Sequence, residues 1–441
     1  MKKIHIETYG CQMNVADSEV VASILKNDGY EYTKDINQAD VILLNTCSIR
    51  EHAENKIVQR LNELKKLKTG NESLLFGVIG CMAERLKDRL FEKKGLVDIV
   101  AGPDSYRSLP QLLAEAHEKR QAMNVELSLT ETYSGIYPYR YDDKGISAFV
   151  SIMRGCNNFC SYCIVPYTRG RERSRDVDSI LSEVLKLQQQ GYKEVTLLGQ
   201  NVNSYSFEKD GETVSFPQLM EKVALAVPQM RIRFTTSHPK DMDDSLLYVM
   251  AKYDNIAKWI HLPVQSGSTT VLERMNRRYT REWYLERVAA IRRILPEASI
   301  TTDIMCGFSD ETDAEQEETL SLMREVGYDT SFMFKYSERE GTVASKRMPD
   351  NVPEEVKVKR LNEIIALQNE LSRTRNAEDE GKIFDVLIDG SAKKNDGEWR
   401  GRTSQNKTVV FSATNVVLGQ IVRVKIQSST SATLKGVIVT C

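Results

Sequence analysis

Cys156-Asn157-Asn158-Phe159-Cys160-Ser161-Tyr162-Cys163 places three cysteines within eight residues, in the spacing C-x3-C-x2-C. Thiolates this close can converge on one metal centre. Two chemistries accept them: a structural zinc site, which closes with four Cys or His ligands, and an iron–sulfur cluster held by cysteine thiolates. No fourth ligand is near; the next downstream are His238, His261 and Cys306. A 4Fe-4S cluster held by three thiolates keeps one iron open for another ligand. Zinc would need a distant fourth partner and an unusual C-x3-C gap. Three incidental core thiols are the remaining reading, but eight cysteines in 441 residues seldom cluster so tightly.

With Met153-Arg154-Gly155 before it and Ile164-Val165-Pro166-Tyr167 after it, the stretch resembles the signature of the radical S-adenosylmethionine (SAM) superfamily. The resemblance implies a 4Fe-4S cluster on Cys156, Cys160 and Cys163, with SAM on the open iron. It implies SAM cleavage to a 5′-deoxyadenosyl radical and places Tyr162, the aromatic before the last cysteine, near the adenine.

Outward from the motif, six strand candidates recur, each followed by helix-like sequence: Ala148–Met153, Glu194–Gly199, Ile232–Thr236, Lys258–Leu262, Ile300–Met305 and Ser331–Tyr336. Six such units predict an open, partial (β/α)6 barrel over residues 146–372, related to the eight-fold form, with functional residues at the carboxyl ends of its strands. The cysteine motif follows the first strand. Gln200, Ser237 and Gln265, at or near later strand ends, are candidates for SAM or substrate contacts. Asp303-Ile304-Met305-Cys306-Gly307-Phe308 resembles the superfamily's adenine-packing stretch. His238 and His261 read as hydrogen-bonded structural residues, and Cys306 as a core thiol. The four arginines of Thr168-Arg169-Gly170-Arg171-Glu172-Arg173-Ser174-Arg175 suit three uses: phosphate contacts, pairing with carboxylates of SAM or the barrel, or a solvated surface.

Toward the amino terminus, Lys3–Tyr9, Asp40–Asn45 and Leu74–Ile79 read as strands, with helices over about Asp17–Asn27 and Ile49–Lys68. Alternating strands and helices predict a parallel sheet of flavodoxin or Rossmann type over residues 1–125. Cys11, Cys47 and Cys81 each follow one strand, separated by 36 and 34 residues. In an open parallel sheet the strand carboxyl ends share one edge, where ligands bind, so three thiolates meet there. Taken singly, each is a small core residue; their recurrence at matched positions predicts a second three-thiolate cluster. Thr8-Tyr9-Gly10-Cys11-Gln12-Met13-Asn14, Asn45-Thr46-Cys47-Ser48-Ile49-Arg50-Glu51 and Gly80-Cys81-Met82-Ala83-Glu84-Arg85 resemble the amino-terminal domain of the methylthiotransferases. The resemblance implies an auxiliary 4Fe-4S cluster whose open iron carries the sulfur to be transferred.

Residues 126–145 form a linker without clean periodicity, and Glu355 to about Arg373 a charged helical connector. Composition shifts over 375–441: Lys382–Ile388, Thr408–Phe411, Val422–Ile426 and Leu434–Val439 read as short strands, with a hairpin turn at Asn395-Asp396-Gly397. A small antiparallel β-barrel follows. From Gly381 onward nine Lys and Arg stand against four Asp and Glu, in a chain whose net charge is −2. A small basic barrel with Trp399 and Phe411 suits RNA; an inert packing domain is the alternative. It resembles a TRAM domain, which implies a tRNA partner. Cys441, the last residue, has no expected role.

No apolar run approaches a membrane-spanning length, and clustered cysteines behind a charged amino terminus fit a reducing cytoplasm. A monomer is expected. Within the methylthiotransferases the flanks of Cys11, Cys47 and Cys156 resemble the branch acting on N6-isopentenyladenosine in tRNA. That resemblance implies two SAM per turnover, one giving a methyl group and one the radical, with sulfur inserted at C2 of the adenine beside the anticodon. It also implies an electron donor such as flavodoxin or ferredoxin, and a sulfur-donor or cluster-assembly system. Threonylcarbamoyladenosine and a ribosomal-protein aspartate are the alternative targets, and a non-catalytic iron–sulfur RNA sensor the alternative class.

Overall fold

A computed structural model describes residues 1–48, 51–71 (51–55 as backbone), 73–92, 96–141, 145–392 and 397–439. Ile49 and Arg50 of the second cysteine motif, Asn395 and Asp396 of the expected hairpin turn, and Cys441 lie outside the described residues.

Six strands form the amino-terminal sheet: β1 (Lys3–Tyr9), β2 (Glu31–Tyr32), β3 (Val41–Thr46), β4 (Leu75–Gly80), β5 (Ile99–Ala101) and β6 (Ala122–Asn124), in the spatial order β2-β1-β3-β4-β5-β6. All pairings are parallel. The sequence Val-Ile-Leu-Leu-Asn-Thr of β3 does not alternate because β3 is buried on both faces. Helices α1 (Gln12–Asn27) and α4 (Leu109–Lys119) cover one face through Val21, Leu25 and Leu113. Helices α2 (Glu51–Gly70) and α3 (Cys81–Leu86) cover the other through Ile57, Leu61 and Met82. The chain reverses direction across the sheet between β1 and β3, the place where such sheets open a crevice.

The central strands split into two parallel three-stranded sheets. One holds β7 (Ser147–Ser151) with Glu194–Leu198 and Arg231–Thr235; the other holds Trp259–His261, Ser299–Cys306 and Thr330–Lys335. An isolated parallel bridge between Ile232 and Ile256 links the two sheets into an open arc. One continuous core, from Val150 and Leu197 through Ile260 to Ile300, lies between the strands and their helices. The start of α1 packs on this arc: Met13 and Ala16 meet Phe149 and Leu198.

Between the two domains, Tyr133 is buried and its hydroxyl donates to Pro103 O at 2.8 Å, and Arg140 pairs with Glu19 and Glu183. The described part of segment 126–145 is thus a packed strap rather than a loose tether.

The carboxyl-terminal strands Ile383–Ser391, Glu398–Arg402, Thr408–Ser412, Leu434–Ile438 and Ile421–Ser429 close into a barrel in that spatial order. Every joint is antiparallel except that between Thr408–Ser412 and Leu434–Ile438. Five strands cannot alternate direction around a closed ring, so one parallel joint is unavoidable. The barrel docks on the amino ends of the central strands. Arg231 donates to Arg402 O at 2.8 Å, Arg233 to Thr403 O at 2.7 Å, and Ser299 to Gln405 O at 2.6 Å.

Candidate functional site

Strand register brings the three amino-terminal cysteines to one edge. Tyr9 pairs with Thr46, and Thr46 with Gly80, so the last residues of β1, β3 and β4 stand side by side. Cys11, Cys47 and Cys81 follow at the switch in chain direction. Two glycines permit the approach. A Cβ on Gly10 would lie 2.9 Å from Cys47 Cβ, and one on Gly80, whose φ is +91°, 2.8 Å from Thr46 O. Buried amides hold the turns: Asn14 Oδ1 accepts from Cys11 N at 3.2 Å, Asn14 Nδ2 donates to Asn45 Oδ1 at 3.0 Å, and Asn45 Nδ2 donates to Asn14 O at 2.8 Å.

The C-x3-C-x2-C stretch is shaped by neighbours from later in the chain. Gly155 has φ +76°, and a Cβ there would sit 1.9 Å from Arg171 O; this lets Cys156 N donate to Gly170 O at 3.1 Å. Ser161 N donates to Met275 O at 3.0 Å, its hydroxyl to Arg274 O at 2.8 Å, and Asn276 Nδ2 to Phe159 O at 2.9 Å. The turn Arg274–Arg277 therefore moulds the loop.

Each site has a buried guanidinium on one of its thiols. Arg277 Nη1 donates to Cys160 Sγ at 3.3 Å, with its other bonds to the Tyr279 and Tyr162 hydroxyls and Pro263 O. Arg169 Nε donates to Cys81 Sγ at 3.1 Å. Burial pushes the Cys156 thiol up to about 11 and the Cys163 thiol up to about 12. It also raises Cys81, against the pull of Arg169. Cys11 is drawn down, to about 6, by its hydrogen bond with Cys47, with Arg169 adding to the pull. Bare thiols at Cys81, Cys156 and Cys163 thus resist ionising, whereas a metal takes them as thiolates outright.

The donor sets fit iron–sulfur clusters. Each holds three thiols, and each has a buried guanidinium donating to one of them, which favours an anionic group such as a cluster with its thiolates. Among the described residues no three Cys, His, Asp or Glu side chains close on a single ion. A cluster does not require that, since its thiolates bind separate irons rather than one point.

The candidate SAM side of the arc is also assembled. Tyr162 packs edge-on to Phe308 at 6.4 Å, and the two share a cluster with Met305, Met275 and Tyr336. Gln265, at φ +74°, bridges the same strand end: its N–H donates to Asp303 O at 2.9 Å, and Met305 N donates to its carbonyl at 2.8 Å. Gln200 Oε1 and Ser237 Oγ are buried without a hydrogen-bond partner, as are Thr236 Oγ1 and His238 Nε2. His261 Nδ1 bonds Thr301 Oγ1 at 3.0 Å. His238 is only half satisfied: Nδ1 accepts from Lys240 N at 3.3 Å, and burial with the nearby Arg277 charge lowers its pKa. The neutral ring then carries its proton on Nε2, a free donor that reading His238 as hydrogen-bonded and structural did not anticipate. Cys306 is buried, and its thiol faces the carbonyls of Phe334 and Lys357.

Three of the four loop arginines serve none of the phosphate or solvent roles open to them. Arg169 and Arg173 pair with Asp17 and Asp104 of the amino-terminal domain, and Arg175 with Glu183. Arg154, just before the motif, also pairs with Asp17, at 2.7 Å. Only Arg171 is exposed, its guanidinium 4.4 Å from the centre of the Phe159 ring. Neither Asp17 nor Arg154 had a sequence signal for this role, because the partner of a buried charge lies 137 residues away along the chain.

Fold and cysteine loops together define a radical-SAM enzyme with an added cysteine-bearing α/β domain and a small RNA-binding-type barrel. Residues 3–102 match the family described as Uncharacterized protein family UPF0004, 150–323 the Radical SAM superfamily, and 378–439 the TRAM domain. The chain is 60% identical over 435 residues to the tRNA-2-methylthio-N(6)-dimethylallyladenosine synthase of Parabacteroides distasonis, covering 99% of this chain and 95% of that protein. It is 56% identical over 441 residues to the synthase of the same name from Porphyromonas gingivalis, covering 99% and 95%. Among solved structures, the radical S-adenosylmethionine methyltransferase TsrM of Kitasatospora setae superposes with a TM-score of 0.56 at 13% identity, over 76% of this chain and 73% of that one. That likeness is one of fold. The chain belongs to the tRNA-2-methylthio-N(6)-dimethylallyladenosine synthase family. Its cofactors are 4Fe-4S clusters and SAM, and its substrate class is tRNA. No helix among the described residues is long and apolar enough to cross a membrane.

Proposed function

We propose that this enzyme methylthiolates C2 of N6-isopentenyladenosine next to the anticodon of tRNA. The observation that carries the reading is the pair of three-cysteine sites joined through Arg169, Asp17 and Arg154, in a chain whose full-length relatives bear that synthase name. Cys156, Cys160 and Cys163 hold the radical-SAM cluster, and Cys11, Cys47 and Cys81 the auxiliary one. When bound, the clusters and two SAM molecules supply a 5′-deoxyadenosyl radical, a methyl group and the sulfur. The C2–H bond is too weakly acidic for a side-chain base, which is why radical chemistry is needed.

Around these groups the protein's own residues orient and exclude. Tyr162, with Phe308 and Met305 behind it, forms the apolar wall for the adenine of SAM. Gln200, Ser237 and Gln265 contact SAM or substrate, which their buried, unpartnered oxygens or exceptional backbone support. An anticodon loop is single-stranded, so presenting its base costs less than opening a duplex. Residues 1–125 serve sulfur, 146–372 the radical and 375–441 the RNA, with 126–145 between. The reaction draws on a low-potential electron donor such as flavodoxin or ferredoxin and on a sulfur donor, in the cytoplasm.

The first test is iron and sulfide in anaerobically reconstituted protein, wild type against a Cys156/Cys160/Cys163→Ala variant. About eight irons falling to about four are expected for two 4Fe-4S sites. About four falling to none would leave Cys11, Cys47 and Cys81 structural and remove the sulfur carrier. For the target, tRNA from a deletion strain should lack 2-methylthio-isopentenyladenosine; its persistence would move the activity to threonylcarbamoyladenosine or a protein.

A further inference from the structure

One side chain touches the loops of both cysteine sites. Arg169 belongs to the radical-SAM loop, six residues beyond Cys163, yet its Nε donates to Cys81 Sγ of the amino-terminal domain at 3.1 Å. Its Nη2 donates to Asp17 Oδ2 at 2.8 Å, and Asp17 Oδ1 accepts from Arg154 Nη1 at 2.7 Å, just before Gly155-Cys156. Asp17 therefore clamps both edges of the radical-SAM loop to the helix that begins after Cys11. Arg169 is 3% exposed, and its Nη1 is buried without a hydrogen-bond partner. A thiol sulfur accepts weakly and a thiolate strongly, so a buried guanidinium aimed at Cys81 with a donor to spare suits an anionic group there.

We propose that Arg169 is a positioning residue for the auxiliary cluster: it binds the Cys81 thiolate from the opposite domain, offers Nη1 to the sulfur-bearing group beside it, and through Asp17 fixes that cluster against the radical-SAM loop. The inference rests on the assignment of Cys11, Cys47 and Cys81 to an auxiliary cluster. Hydrogen bonds to ligand sulfurs and local charge set cluster potentials. One-electron reduction adds negative charge, which a guanidinium on a ligand thiolate stabilises. Arg169 thus holds the potential of the auxiliary cluster above the value it would have alone.

The test uses full-length, reconstituted protein in the Cys156/Cys160/Cys163→Ala background, so that only the auxiliary cluster reports, with its midpoint potential read by electron paramagnetic resonance during dithionite titration. Arg169→Gln should lower the potential. Arg169→Lys, which keeps the charge but not the bond from Nε, should lower it less. Arg173→Gln, a buried arginine of the same loop that pairs with Asp104 and no cysteine, should leave it unmoved. An unmoved potential in Arg169→Gln, or an equal shift in Arg173→Gln, overturns the proposal. If Arg169→Gln fails to retain iron, the other two variants decide. Arg169→Lys retaining iron at a lowered potential, or losing it while Arg173→Gln retains it, supports the role. Arg169→Lys retaining iron at an unmoved potential, or loss of iron in Arg173→Gln as well, overturns it. A background protein without iron has no auxiliary cluster, and the functional assignment falls together with this inference; about four irons with an unmoved potential remove this inference alone.

Discussion

The two cysteine sites reach the same donor set by opposite routes. Cys156, Cys160 and Cys163 are neighbours along the chain, and the fold only has to shape one loop. Cys11, Cys47 and Cys81 are strangers in sequence, and three strands must pair in register before they meet. A local loop is cheap to bring together, because loop-closure entropy grows with the length closed, but it has little structure of its own. Here it borrows shape from Arg274–Arg277 and from the amino-terminal domain. The sheet-edge site inherits rigidity from a core buried on both faces. Distance along the chain therefore decides which site depends on its neighbours and which on its own framework.

The comparison breaks most severely at Asp17, which both regions share. Asp17→Ala leaves Arg169 a buried cation without its carboxylate and Arg154 with Asp104 alone, at 3.5 Å, and loss of one partner of a buried ion pair costs about 3–5 kcal/mol. A large drop in the thermal unfolding midpoint, with iron lost from both sites, is the expected outcome. Retention of both clusters would show that the domains hold together without it.

Next come two glycines that separate the sites. Gly155→Ala forces a left-handed backbone and a clash with Arg171 O; Gly80→Ala does the same against Asn45 and Thr46. Strain of this kind costs about 1–3 kcal/mol per residue. Each variant should lose the irons of its own site alone and retain about four at the other, as read from iron content with and without the Cys156/Cys160/Cys163→Ala changes. Loss of all iron from either would mean that the sites assemble as one unit.

A smaller contrast lies in titration. Glu84 on α3, one turn past Cys81, is buried, with Oε2 unpartnered, and burial lifts its carboxyl to about 7. A raised carboxyl favours the neutral form in the folded protein. Its contribution is fully present below the ordinary value near 4.5 and is lost as pH rises through about 7. Urea unfolding of the apoprotein should show stability falling between about pH 4.5 and pH 7, and Glu84→Gln should flatten that fall by about 3 kcal/mol. An unchanged profile would assign the fall to other groups.

The smallest effect sharpens the arginine loop. Arg171 is exposed and lies over the Phe159 face, a contact worth about 0.5–1 kcal/mol. Arg171→Ala should barely move the unfolding midpoint, two residues from Arg169, where truncation should be severe. Similar losses at both positions would contradict the buried and exposed roles drawn from the structure.

Much of this molecule was legible in the chain itself. The strands of the two larger domains announced themselves as apolar runs at regular intervals, and the register of β1, β3 and β4 carried three spaced cysteines to one edge, as strand ends must in a parallel sheet. Glu31–Tyr32 and Ile99–Ala101 escape a sequence reading because runs of two and three residues show no period, and Glu398–Arg402 because three of its five residues are charged. Leu109–Lys119 carries a helix-start signal, Pro110 in its first turn.

Spacing along the chain pointed to two sets of three thiols, one local and one at matched strand ends, and the fold brings the ends of β1, β3 and β4 side by side. Only tertiary structure decided what the arginines do. Burial obliges a charge to find a partner but does not name it. Asp17, Asp104 and Cys81 became those partners because the folded sheet presents them to a loop that begins more than fifty residues later. No local pattern records such a pairing, because its energy exists only once both surfaces have left water.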